Sequence, residues 1–263
     1  MKETNLIKSA ALTGAALLTG LAFAGEPAAK APIECAPSPG LDISFGVGYT
    51  NEYVFRGHNR GDDLFEASLT ASGSGSLLGL GDVNVSAGLW LGTYTRNFFI
   101  SQPGLAVTNL PAIAATEGAN EMRINLQASK SLGSLDVNVG VTNYSFFGGI
   151  SNQADIMEPY VSIGTKLAGF DVGAGLYDTE DADDPYYEIT VGRSVDLGSL
   201  SINLTGVVGT LNEFDDTFYG ISARLPLAVS DNITVSPHVS GIFGDTRSGD
   251  DEVTAGVNVV FGF

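Results

Sequence analysis

Charge is scarce in this chain, and positive charge is scarcest. Only 16% of the residues are charged, with 12 Lys and Arg against 30 Asp and Glu, for a net charge of −18. A soluble globular domain carries about a quarter charged residues, so an apolar surface is one reading of the deficit. The acidic balance argues against nucleic acid as a partner. Cysteine is nearly missing: Cys35 stands alone, which excludes an internal disulfide. Glu34 precedes it, where a lipidated cysteine has small or apolar neighbours. Catalytic signatures are missing too. His58 and His238 are the only histidines, and there is no G-x-S-x-G, H-E-x-x-H or phosphate-binding loop, so no enzyme or cofactor motif is present. A barrel hydrolase could pair His238 with Ser240, but a lone His among small residues is more often structural. Beyond the N-terminus no apolar run reaches the ~20 residues of a transmembrane helix.

What is present is a chain that is 44% hydrophobic, holds 34 glycines, and is rich in Ser, Thr and Asn. Lys2 and Lys8 precede the apolar run Ser9 to Leu21, and Ala22-Phe23-Ala24 fits a cleavage site, so residues 1–24 read as a secretory signal peptide. Residues 25–40 carry Pro27, Pro32, Pro37 and Pro39 and read as a flexible leader.

From Leu41 to Phe263 the pattern has period two. Leu135, Val137, Val139 and Val141 fall on one side of a strand, and Asp136, Asn138, Gly140 and Thr142 on the other. Such runs predict about twelve strands, near 42–56, 63–73, 83–95, 120–131, 135–147, 155–167, 170–178, 186–196, 199–211, 217–227, 232–243 and 252–263. Their connections alternate. Residues 76–81, 132–134, 168–169, 197–198 and 229–231 are short and nearly uncharged. Residues 57–62, 96–119, 148–154, 179–185, 212–216 and 244–251 form the other set, longer and acidic overall. Short turns at one end and long loops at the other are the mark of an antiparallel up-and-down transmembrane β-barrel. About twelve strands leave an interior wider than the ~8-stranded case that side chains just fill.

Parity then assigns faces. Glu52, Arg56, Glu66, Arg123, Glu158, Lys166, Glu188 and Arg224 fall on the polar face and should look into the lumen. Charges there either tune which ions pass or pair across the interior and brace it. Arg193 has the parity of Ile189 and Val191, which aims it at lipid, and Pro237 predicts a bulge that would shift the register of His238. Asp178, Glu180, Asp181, Asp183 and Asp184 are the densest acidic run, either a solvated rim or an oxygen cluster for Ca²⁺ or Mg²⁺. The mildly apolar stretch 96–119 is long enough to fold inward, cap the rim or touch a neighbouring subunit.

The stretch Tyr53-Val54-Phe55-Arg56-Gly57 resembles the first-strand signature of the TorF-like family of bacterial outer-membrane porins. The match covers the first hairpin; elsewhere it rests on size, strand rhythm and the C-terminal Phe. After Gly57 the chain departs from the family pattern with His58-Asn59-Arg60-Gly61. Val253, Ala255, Val257, Val259, Phe261 and Phe263 share one parity. Resemblance to outer-membrane barrels implies that Phe261 and Phe263 form a signal read by the barrel assembly machinery. It also implies a bacterial outer-membrane location, lipid as the surrounding partner, and passive diffusion of small hydrophilic solutes or ions. The acidic loops add a preference for cations. The rival expectation is a non-conducting structural or surface-interaction barrel.

Overall fold

The computed structural model describes residues 41–76, 82–99, 114–147, 155–178, 185–211, 216–244 and 251–263. The expected signal peptide and leader lie outside these residues. The elements are β1 (Asp42–Phe55), β2 (His58–Ser76), β3 (Asp82–Phe99), β4 (Ala114–Leu132), β5 (Leu135–Phe147), β6 (Ile156–Leu167) and β7 (Phe170–Tyr177). There follow β8 (Tyr186–Leu197), β9 (Leu200–Leu211), β10 (Asp216–Arg224), β11 (Leu227–Ser230), β12 (Ile233–Gly244) and β13 (Glu252–Gly262).

Every neighbour in the sheet is antiparallel, and each strand pairs with the next along the chain except β10 with β11. Two further pairings close the ring: β1 with β13, and β10 with β12. β10 and β11 are two segments of one strand, since both lie along β12. The result is a closed 12-strand barrel. The break falls at Leu225-Pro226, opposite Pro237, where neither proline offers an N–H to the ladder; Leu225 N still donates to Pro237 O at 3.0 Å. The expected bulge at Pro237 is absent. Ser236, Pro237 and His238 pair without a shift to Asn258, Val257 and Gly256. The proline is accommodated by interrupting the neighbouring strand instead, and His238 keeps its inward parity.

Alternation builds the two faces. Phe45, Val47, Leu69, Leu91, Leu126, Val161, Ile163, Ile189, Val191, Ile221 and Val257 all point outward and are exposed. In water such a surface would be a severe liability; around a barrel it is the apolar band that meets lipid. The opposite parity buries Ser44, Gln127, Asn138, Thr142, Ser162, Thr190, Ser236 and Asn258. Arg193 is outward, as its parity requires, with its guanidinium 5.1 Å from the Phe170 ring; cation–π contact and snorkelling toward the short-turn end reduce its cost.

Among the described residues, the short connections at one end are two-residue turns. Ala168 and Gly169 both have positive φ (52° and 82°), and Gly133 and Gly198 open their turns at 72° and 75°. These signs match the mirror-image turns whose twist suits antiparallel hairpins. Two expected loops change at the other end. Residues 57–62 are not a loop, because β2 begins at His58 and the hairpin turns on Arg56 and Gly57 alone. The 96–119 loop is shorter than expected, because Phe99 pairs with Ala114; the remainder, 100–113, lies outside the described residues.

Candidate functional site inside the barrel

β1 neighbours only β2 and β13 in the sheet. Yet the tip of the β1–β2 hairpin touches walls far from both. The cause is two local irregularities. The β1–β2 register slips between Tyr53 and Val54, with Arg60 as the extra residue, and the β2–β3 register slips between Asp62 and Phe65. Gly61 and Asp63 take positive φ there (156° and 53°). Bulges of this kind bend a strand and re-aim its side chains. Beyond them Tyr53, Val54, Phe55 and Leu64 are all buried, all but Phe55 completely.

The tip separates two apolar clusters. Val54 packs with Tyr160, Tyr177, Tyr186, Val207, Phe218 and Ile242. Tyr53 and Phe55 pack with Leu64, Trp90, Tyr94, Ala119 and Tyr144. The wall makes room with inward glycines: a methyl group at Gly140 would lie 2.5 Å from the Tyr160 ring, and one at Gly175 would lie 2.7 Å from Tyr177. These rings therefore lie flat along the wall, and Tyr160 stacks on Tyr177 at 5.5 Å. At this level the inward face of the strands therefore also carries large aromatic and aliphatic side chains.

Arg56 crosses to the far wall. Its Nη1 and Nη2 donate to Glu158 Oε2 and Oε1 at 2.6 and 2.7 Å, the bidentate arrangement that gives strong charge-assisted pairs. Tyr144 OH donates to the same Glu158 Oε1 at 3.0 Å. The guanidinium lies 4.3 Å from the Tyr186 ring centroid and 4.8 Å from that of Tyr177. Its backbone φ is 51°, a region that costs a non-glycine residue about 1–2 kcal/mol. Arg123 makes the second centre. Its Nε donates to Glu121 Oε1 at 2.6 Å, and its Nη2 donates to the Tyr53 hydroxyl. Its guanidinium lies 4.4 Å from the Trp90 ring and 4.5 Å from Phe55.

The other lumen candidates are distributed along the barrel. Glu188 accepts from Tyr177 OH at 2.8 Å and Tyr186 OH at 3.0 Å, so it belongs to the Arg56 neighbourhood. Glu66 accepts from Trp90 Nε1 at 2.7 Å and Asn258 Nδ2 at 2.5 Å. Arg224 lies within electrostatic reach of Glu66 and faces His238 in register. Glu52 lies within electrostatic reach of Glu252 and opposite Asp62; Asn59 Nδ2 donates to Glu252 at 3.0 Å. Lys166 is set apart, exposed at the short-turn end and paired with Asp171. Ser240 shares its hydrogen bond with Thr254 at 2.6 Å, while His238 Nε2 lies 3.5 Å from Thr50 Oγ1. The Ser240–His238 pairing considered from sequence is not formed.

The sequence-derived lumen residues leave out Glu121 and the inward rings. Glu121 stands two residues before Arg123, and Tyr160 two after Glu158, so period two does aim both inward. Of the acidic run, only Asp178 is described, as an exposed residue whose N donates to Pro159 O. Glu180, Asp181, Asp183 and Asp184 lie outside the described residues. No cluster of metal-ligating side chains occurs among the described residues. Phe261 faces outward against Phe45 at 6.1 Å, and Phe263 N donates to Ile43 O at 2.9 Å.

No protein-family model and no curated protein matches the chain. Solved structures do. The COG4313 outer membrane channel from Pseudomonas putida F1 superposes with a TM-score of 0.52 at 10% identity, over 89% of this chain and 99% of that one. The KdgM porin gives a TM-score of 0.49 at 9% identity, over 84% of this chain and 99% of its own. Outer membrane phospholipase A from Escherichia coli gives 0.46 at 13% identity, over 84% and 89%. The first of these likenesses places the chain in the fold of outer-membrane β-barrels, and the fold alone.

Proposed function

We propose that this chain is an outer-membrane porin-like channel whose lumen is narrowed by the β1–β2 hairpin tip. The single observation that carries the reading is a closed barrel with an apolar outside and a polar inside. Away from the tip the inner wall is built of Ser44, Gln127, Asn138, Ser162, Thr190 and Asn258. A dry-cored soluble barrel would put its large aliphatic residues there; this one turns them outward. Export through residues 1–24 and folding by the barrel assembly machinery through Phe261 and Phe263 complete the proposal, as does the TorF-like signature at Tyr53 to Gly57. That signature coincides with the hairpin tip.

The lumen candidates divide by role. Arg56 with Glu158, and Arg123 with Glu121, hold the tip and thereby set the constriction, so bracing and narrowing are the same act. Glu188 supports the first pair. Glu66, Arg224 and Glu52 face the lumen elsewhere and tune its potential, while Lys166 guards the short-turn mouth. Acid exceeds base, so the channel prefers cations. The exterior acidic run from Asp178 to Asp184 adds to that preference, bound to divalent ions or not.

The non-conducting reading keeps one observation in its favour, the apolar packing on both sides of the tip. Single-channel recording of refolded protein under a KCl gradient separates the two. Discrete openings with a cation-selective reversal potential support the channel. A silent bilayer with correctly folded protein supports the structural barrel.

A further inference from the structure

We infer that the cage holding Arg56 is a binding site for the planar guanidinium head group of a diffusing organic cation, and that Arg56 is its built-in occupant. The inference deepens the channel reading by naming a solute class, although binding to the cage does not itself require conduction.

The cage belongs to the wall and its occupant does not. Glu158, Tyr144, Tyr177 and Tyr186 stand on β6, β5, β7 and β8, four strands that pair with one another in the closed sheet. Arg56 belongs to a two-residue turn carried in from β1 and β2. If the tip withdraws, the cage remains and loses its cation. Arg123 offers the contrast. Its carboxylate partner Glu121 lies two residues away on the same strand, so that pair travels with the wall whatever the tip does.

The chemistry of the cage is selective. Both carboxylate oxygens of Glu158 are presented to a fork of two N–H groups. The Tyr144 hydroxyl holds one of those oxygens in place. The rings of Tyr177 and Tyr186 lie within 4.8 Å of the cation's centre. A planar guanidinium uses the fork and the rings together, whereas a spherical ion such as K⁺ uses only the charge. The rest of the tip also favours exchange. Arg56 is held in a left-handed backbone conformation that relaxes when the tip leaves, and Gly57 and two bulges flank it. Glu158 is 2% exposed, so a guanidinium group that replaces Arg56 meets a carboxylate already shielded from water. Entry of an organic cation and withdrawal of the tip therefore favour each other.

The test uses full-length refolded protein and guanidinium chloride at millimolar concentration, far below denaturing levels, against NaCl at equal ionic strength. Trp90 is the only tryptophan, and its ring meets that of Tyr53 on the same tip at 6.1 Å, so its emission reports tip position. In Arg56→Ala the vacated cage should take up guanidinium, giving a saturable change in Trp90 emission that NaCl does not reproduce. Adding Glu158→Gln should weaken that response about tenfold or more, the loss expected for a charge-assisted pair. Arg56→Lys keeps the charge without the fork and serves if the alanine variant does not fold. Guanidinium should displace its tip at a concentration about tenfold lower than in the wild type. Equal responses to guanidinium and Na⁺, or a guanidinium response that survives Glu158→Gln, would overturn the cage. A saturable response in protein that never conducts would keep the cage and refute the channel; conduction with no response would do the reverse.

Discussion

Glu121 and Arg123 share one strand, one face and one hydrogen bond, and both are nearly inaccessible to solvent. Removing one partner leaves the other charge buried, which costs about 3–5 kcal/mol, whereas removing both costs much less. Arg123→Met should therefore lower the urea midpoint of the refolded barrel strongly, and Glu121→Gln with Arg123→Met should recover most of the loss. A double variant as unstable as the single would show that the pair contributes through packing on Trp90 and Phe55 rather than through charge. Gly57 makes a second case. Its φ is 76°, and an added methyl would lie 2.7 Å from the Phe218 ring. Gly57→Ala should unseat the tip and shift Trp90 emission to longer wavelength while the strand content by circular dichroism stays unchanged; an unshifted spectrum would mean that the turn tolerates the methyl group. At this scale parity in the sequence was a sound guide. Glu66, Glu158, Glu188, Arg123 and Arg224 all face inward because a strand's period is two, and the backbone leaves no choice. Arg56 is inward for a different reason, since a turn residue has no strand parity. Tyr144, Tyr160, Tyr177 and Tyr186 also lie on the inward parity, but a ring carries no charge, and charge is what marks the lumen residues in the sequence.

The strands were legible because each carries its own alternation, and a shift of one residue would turn every apolar side chain to the wrong face. The hairpin tip was not, because a bulge is a single extra residue in an otherwise regular pattern. One trace of it does exist. Tyr53-Val54-Phe55 places three consecutive large apolar residues where alternation calls for a polar one at the centre, and all three are buried. The last element, β13, followed its pattern closely. Phe261 and Phe263 point outward at the short-turn end, and the backbone of Phe263 still bonds to Ile43 of β1, the seam that closes the barrel. Deleting Phe263 removes that bond along with the terminal ring. Outer-membrane yield of heat-modifiable, folded barrel should fall, with unfolded precursor accumulating; normal yield would remove the last strand's end from the assembly account.

At the scale of the whole molecule, the described two-residue turns after β4, β6 and β8 gather at one end, and the strand ends at Phe99, Phe147, Tyr177, Leu211 and Gly244 gather at the other. A tag placed between Thr179 and Asp184 should be reachable by antibody on intact cells, and access only after permeabilisation would reverse the orientation. The same asymmetry puts the hairpin tip, the Arg56–Glu158 pair and both aromatic clusters toward the long-loop mouth, with the polar wall beneath them. Removing both members of the Arg56–Glu158 pair leaves no orphaned charge and takes away the bond that ties the tip to the far wall. The measurement that bears most directly on this arrangement is single-channel conductance of the wild type beside the Arg56→Ala, Glu158→Ala double variant in one bilayer and one salt. The account requires small or infrequent openings in the wild type and openings several-fold larger in the double variant. Equal conductance in the two proteins would contradict it, because the tip would then not be what narrows the lumen.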